Sequence, residues 1–333
     1  MRILIRPRLP VLALLLFAPT IPELLTGSTP ITPLFYDPFA FFLSFGFDVA
    51  LYGTGALLIR EVAVAYRKGW ASILCLGAAY GIAEEGFAVH TFFQTSGSPV
   101  GVLGSYGHAF GVNWVWALGL TAFHATYSIA LPILLTQLWF PESKAVRWFD
   151  GSAIALVAAI YFATVVTFDR AVGHGPSPGA FAFFLVVAVV LILLALWAPK
   201  DLLRVPTGRT RLGAVGIAFT GSLLFDAWIL VLILASAHAV PALAAAVIFV
   251  ALNLLALALV TGRLGTEGLD WSKFYFATGM LAVLFAWDVV IEFSIPGILL
   301  VSALFAYLQY RLRATLRARY VAPPAGAHAA VTP

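Results

Sequence analysis

Charge is what this sequence has least of. Only 10 % of its 333 residues are Asp, Glu, Lys or Arg, whereas 62 % are hydrophobic and the mean hydropathy is +0.99. So few polar groups cannot coat a water-soluble domain of this length, which excludes the soluble classes. Cysteine is nearly absent as well: Cys75 stands alone, so an internal disulfide and any cysteine-built zinc site are excluded. No long polar linker divides the chain. It reads as one membrane domain over residues 1–310, followed by a basic cytoplasmic segment and a Pro/Ala-rich tail (311–333) whose composition predicts disorder and gives His328 no role.

What is present is a succession of apolar runs. Each is close to the length of roughly 20 residues that crosses a hydrocarbon core about 30 Å thick. Ten are expected, near 10–26, 39–59, 70–93, 114–139, 151–169, 180–198, 213–235, 239–261, 272–293 and 295–310, which predicts an all-α polytopic bundle. Charge placement gives an independent check, because Lys and Arg collect in cytoplasmic loops. With the N-terminus inside, every one of the 19 Lys and Arg residues except Arg170 falls on the inner side, so both termini are expected to be cytoplasmic. Trp70, Trp114, Trp139, Trp197 and Trp271 fall at proposed span ends, where indole prefers the headgroup region. The pI of about 9.3 therefore reflects orientation, and membrane lipid, not nucleic acid, is the expected partner. The basic, apolar opening MRILIRPRLPVLALLLFA has the look of a signal peptide without a clear cleavage site, and is read as a retained first helix.

Against this background a few polar residues stand out. AEEGFAVH, residues 83–90, places Glu84 and Glu85 inside the third run, and ionisable groups in a bilayer face a protein interior or a wet cavity. At about 1.5 Å per residue, Glu84, Glu85, His124, Asp48 and Asp226 all come out roughly 12–15 Å below the outer ends of their spans. Gly77, Gly81 and Glu85 recur every four residues, which predicts a close helix contact on that face. Glu84, turned by about 100°, shares its face with Tyr80 and Ala88. His124 lines up with Thr121 and Ser128, Asp48 with Ser44 and Tyr52, and Asp226 with Ser222. Asp288 and Glu292 approach the outer surface and read as an ordinary solvated pair. His90 is expected near the interface, on another face from the glutamates. The loop QTSGSPVGVLGSYGHAFGVN (94–113), with five glycines and His108, is either a cap over a cavity or a plain connector.

Two adjacent carboxyl groups at low dielectric cannot both ionise cheaply, so one keeps a proton while the other stays anionic, the pairing that acid/base catalysis uses. A histidine at the same depth supplies an orienting or metal-binding group. The Glu84-Glu85 pair in one span and His124-x-x-x-Ser128 in the next, within FHATYSIALPILL, resemble the CPBP superfamily of intramembrane proteases (CAAX proteases and bacteriocin-processing enzymes), especially its PrsW-like branch. The resemblance covers residues 70–139. It implies a membrane hydrolase in which Glu84 and Glu85 activate water, His124 is catalytic or holds a metal with Glu85, and the cofactor is zinc or none. The implied substrate is a transmembrane peptide and the location a bacterial-type inner membrane. The chain departs from the family where an Arg or Lys should follow the glutamates, having Ala88, Val89 and then His90. A second histidine motif is also missing, since His238 is followed by Ala242 and His174 falls in a loop; Asp226 or Asp288 would have to stand in. Two alternatives remain at this stage. One is a proton- or cation-coupled transporter, disfavoured by the lack of a matched second broken helix; the other is a noncatalytic protein keeping a degenerate protease fold.

Overall fold

The computed structural model of the chain describes residues 8–172, 175–200, 202–203, 212–263 and 269–321. Arg2, Arg6, His174, Arg204, Arg209, Arg211 and His328 lie outside the described residues. Apart from a two-residue hairpin, the architecture is helical: α1 Arg8–Pro19, α2 Pro38–Asp48, α3 Thr54–Ala65, α4 Trp70–Ile82, α5 Trp114–Phe123, α6 Leu131–Trp139, α7 Gly151–Val172, α8 Pro178–Trp197, α9 Ala214–Ser236, α10 Ala242–Arg263, α11 Leu269–Val290 and α12 Ile298–Val321. Short π-helical turns fuse α2 to α3 and α5 to α6, so each pair crosses as one continuous rod.

Among the described residues seven helices are long and apolar enough to cross a membrane: Pro38–Ala65, Trp114–Trp139, Gly151–Val172, Pro178–Trp197, Ala214–Ser236, Ala242–Leu259 and Asp270–Val290. The other three expected spans are helical too, but each is shortened, broken or charged: α1 ends at Pro19 and a wide turn, α4 carries Glu84 and Glu85 just beyond its end, and α12 continues through Arg311, Arg313, Arg317 and Arg319. Helix starts follow the local chemistry. Asp37 caps α2 by accepting from Ala40 N at 3.0 Å, and Ser177 caps α8 by accepting from Ala180 N at 3.3 Å. Each precedes a proline at the first helical position, where a missing N–H costs nothing.

Burial separates the centre from the rim. In Trp114–Trp139, 61 % of the most apolar stretch is buried, against 11 % in Gly151–Val172 and 17 % in Ala242–Leu259. Trp114–Trp139 is thus the axis of the bundle, while α7 and α10 present leucine, valine and phenylalanine outward, as lipid contact requires. α4 packs on the axis through glycines. A Cβ on Gly77 would lie 2.8 Å from Ala125 Cα, and one on Gly81 3.0 Å from His124 Cβ, so the two backbones approach closely as the Gly77-Gly81-Glu85 spacing predicts.

One end of the bundle is laced by cations on helix C-termini, where unpaired carbonyls concentrate negative charge. Lys68 donates to Leu196 O and to Ala198 O (3.1 Å) at the end of α8. Arg319 donates to Leu138 O (2.8 Å) and Trp139 O (2.9 Å) at the end of α6. Arg60, expected in a loop, belongs instead to α3 and is buried. It pairs with Glu61, donates to Ser143 O (2.7 Å) and Val146 O (2.6 Å), and stacks 3.7 Å from the Trp148 ring centroid. At the other end the glycine-rich loop packs inward: Val100, Leu103 and Val112 are buried in the main core. His108–Ala109 and Val112–Asn113 pair as antiparallel strands. Phe110 and Gly111, both at positive φ, make the hairpin turn. His108 itself is exposed and bonds Asn113 Oδ1 at 2.5 Å. The loop is therefore a packed cap, not a slack connector.

Candidate functional site

Among the described residues π-helical turns occur at Thr20–Leu24, Val49–Gly53, Ala83–Ala88 and His124–Ala130. They follow α1, α2, α4 and α5, and all four converge on one polar pocket. Such turns are rare and gather at functional sites, because widening one helical turn redirects the side chains it carries. The effect is plain at Ala83–Ala88. In a regular helix Glu84 and Glu85 diverge by about 100°, yet here both carboxylates reach the same imidazole. Glu84 Oε2 lies 3.2 Å from His124 Nδ1, and Glu85 Oε1 lies 2.9 Å from His124 Nε2. The expectation that the two acids serve different faces is corrected by this wide turn.

Every group of the pocket is held from behind. Ser128, one turn beyond His124, has its Oγ 2.9 Å from Nδ1. Thr91 donates to Glu85 Oε2 and accepts from Trp116 Nε1 at 2.9 Å. Asn113, under the cap, donates to Thr91 O at 3.4 Å. The rings of Tyr52 and Tyr80 stand 6.0 Å from the imidazole, and Phe123 stands 5.7 Å away. Glu84, Glu85, His124 and Ser128 are buried. Both Glu85 oxygens are engaged, whereas Glu84 Oε2 and the Tyr80 hydroxyl have no hydrogen-bond partner. Glu84 Oε2 thus meets the imidazole at ion-pair distance without a well-aligned hydrogen bond.

Glu23 was not signalled by the sequence reading, yet it belongs to this site. It sits in the wide turn after α1, accepts from Tyr52 OH at 2.5 Å on one oxygen and from Thr29 Oγ1 at 2.9 Å on the other. Asp48 lies beside Glu23 and Thr29, with its Oδ2 buried and unpartnered. The signal that could have revealed Glu23 was APTIPELL, an acid directly after two prolines inside an apolar run. No Lys or Arg pairs with Glu23, Asp48, Glu84 or Glu85; the described lysine and arginine ion pairs involve only Glu61 and Asp169.

Other candidates lie elsewhere. Asp226 shares the depth of the cluster but not its side of the bundle: it is half-buried and faces Tyr127, on the α9 flank of the axis. Asp288 is not a solvated residue. It is fully buried and accepts from Ser302, because α12 packs over that end of α11. His90 is buried, at φ 60°, with its Nε2 3.2 Å from Asp169 on α7, and it does not join the glutamates. His238 is exposed, just past α9.

Glu84, Glu85 and His124 offer one ligand atom each within 4.8 Å of one another, and they are the only three-residue group of this kind among the described residues. Two carboxylate oxygens and one imidazole nitrogen, buried together, are a donor set that fits zinc with a position left open for water. The sequence model of an uncharacterized membrane protein family matches residues 12–327, and the chain belongs to that family. No curated protein and no solved structure matches it.

Proposed function

We propose that this membrane protein is an intramembrane hydrolase that cleaves a membrane-embedded peptide, as its resemblance to CPBP/PrsW-like proteases implies. The observation that carries the reading is the convergence of Glu84, Glu85 and His124 within 4.8 Å in a buried pocket. Hydrolysis in a bilayer needs a base, a group that orients water and shelter from lipid. Glu84, whose Oε2 accepts no well-aligned hydrogen bond, is the base: it takes a proton from water as the oxygen attacks the carbonyl carbon, and returns that proton to the leaving amine. Glu85, fixed by Thr91 and Trp116, orients His124 through Nε2. His124, fixed also by Ser128, sits between the two carboxylates and sets their spacing around the water. If zinc binds, His124 and Glu85 would hold it, leaving Glu84 as the base, and the ion would supply Lewis acidity to that water. Tyr80, whose hydroxyl is unpartnered beside the imidazole, is placed to donate to the oxyanion.

The proposal includes ten crossings of a bacterial-type inner membrane with both termini cytoplasmic. Its support is the gathering of Lys68, Arg60 and Arg319 at one end of the bundle, with Lys273 6.0 Å from the Trp70 ring there. The experiment is cleavage of a pool of quenched-fluorescent transmembrane peptides by the purified chain in proteoliposomes. Glu84→Gln, Glu85→Gln and His124→Ala should each abolish cleavage while elution and circular dichroism stay unchanged. Full cleavage by a folded Glu84→Gln/Glu85→Gln double variant would refute the mechanism. The surplus of acids over bases favours a second reading, cation- or proton-coupled transport, whose signature is pH-driven uptake in the same vesicles without peptide cleavage.

A further inference from the structure

The four acids of the pocket outnumber its bases. Glu84 and Glu85 share His124 directly, but among the described residues neither Glu23 nor Asp48 is ion-paired: Glu23 accepts from the hydroxyls of Tyr52 and Thr29, and Asp48 lies beside Thr29. Asp48 is 9 % exposed, and its Oδ2 has no hydrogen-bond partner. A buried carboxylate oxygen without a donor costs free energy that a ligand's N–H groups recover. We infer that Glu23 and Asp48 form a recognition subsite for a primary ammonium group, and that the group is a lysine side chain of the bound peptide.

Three features select an ammonium over a metal ion. Glu23 and Asp48 do not make a three-ligand cluster, whereas calcium requires six to eight oxygens. An ammonium carries three N–H donors, which match Asp48 Oδ2 and the remaining lone pairs of Glu23. The Tyr52 ring, whose hydroxyl already touches Glu23, adds an aromatic face. A lysine also suits the setting: its aliphatic stem lies in hydrocarbon while the charged head reaches a polar pocket. Tyr52 bridges this subsite to the centre, its hydroxyl on Glu23 and its ring 6.0 Å from that of His124.

The inference rests on the reading of this pocket as a peptide site, and its test measures binding, not cleavage. A labelled Leu/Ala transmembrane peptide with one lysine in its outer third, and its norleucine twin, are titrated against the full chain in nanodiscs by energy transfer. The lysine peptide should bind about tenfold more tightly, the low end for charge-assisted hydrogen bonds. Glu23→Gln/Asp48→Asn should bring the ratio to near one, while Asp226→Asn, on the α9 flank of the axis, leaves it at tenfold. The charge-keeping Asp48→Glu should retain a preference, and Asp48→Asn alone replaces the double variant if that variant does not fold. A ratio of one in the wild type, or tenfold preference in the folded double variant, overturns the inference. So does loss of the preference when ethanolamine lipids replace glycerol lipids, which would assign the subsite to a lipid ammonium. Lysine preference without cleavage sinks only the hydrolase reading; cleavage without preference sinks only the subsite.

Discussion

Replacing Gly77 by alanine adds a single methyl group and no charge, yet it should cost both stability and function. The new Cβ would stand 2.8 Å from Ala125 Cα and 3.1 Å from Ala125 O, both backbone atoms of the turn that carries His124. A normal contact needs roughly 3.5–4.0 Å, so the helices must part by several tenths of an ångström to about 1 Å. Overpacking of this kind costs about 1–3 kcal/mol. The displacement is directed along the line that joins the wide turn His124–Ala130 to α4, so it lengthens the 2.9 Å contact between His124 and Glu85. Gly46 is the control, since nothing lies within 4 Å of its Cβ position. There alanine removes only the flexibility of a helical glycine and should stabilise by about 0.5–1 kcal/mol. Cys75, the only thiol in the chain, lies on α4 itself, so a thiol-reactive dye reads the separation of this helix on heating. The expected order of midpoints is Gly46→Ala above wild type above Gly77→Ala, with cleavage lost only in Gly77→Ala. Equal midpoints for the two variants would refute the close approach of α4 to the axis.

Two more outcomes follow from the supports of the site. Thr91→Val keeps shape but strands Glu85 Oε2 and Trp116 Nε1, and should cost about 1–3 kcal/mol for each buried group left unpaired; Thr91→Ser should restore most of it, and a Thr91→Val protein as stable as wild type in detergent unfolding would show that the bridge is idle. Arg60→Met leaves Glu61 buried without its partner and should cost about 3–5 kcal/mol, while Arg60→Met/Glu61→Met should recover much of that loss; a single variant matching wild type would show that the pair contributes nothing at this end.

Much of the fold was legible because a bilayer imposes length and polarity together: an apolar run must be a helix, and its charges must be turned inward. That logic located Glu84, Glu85 and His124 before any coordinates. It placed Asp226 beside them only because depth is one coordinate of two; counting residues from a helix end gives height and leaves the side of the bundle open. Asp288 was misjudged for a related reason, since nearness to a helix end says nothing of α12 folding over it. Glu23 escaped notice because it follows Pro22 close to the end of a short span, where an acid usually meets water. The π turns left no trace, for residues such as Ala83, Gly86 and Ala88 suit a regular helix equally well. Arg60 reads as a loop cation because Arg and Glu side by side near a span end look like a boundary; the helix runs on to Ala65 with Arg60 held by Ser143 O and Val146 O and Glu61 Oε1 accepting from Trp148 N.

The four widened turns have a bearing on how such a chain can change. Each closes its hydrogen bonds one residue later than a regular helix would, so each holds one residue of slack in the spacing between pocket and helix end. Removing that residue would restore ordinary winding without breaking the helix, but would swing everything beyond it to a new bearing. The aim of Glu84, Glu85 and His124 is thus stored less in which amino acids are present than in how many lie between them, and a deletion there would act as a rotation, not as a gap.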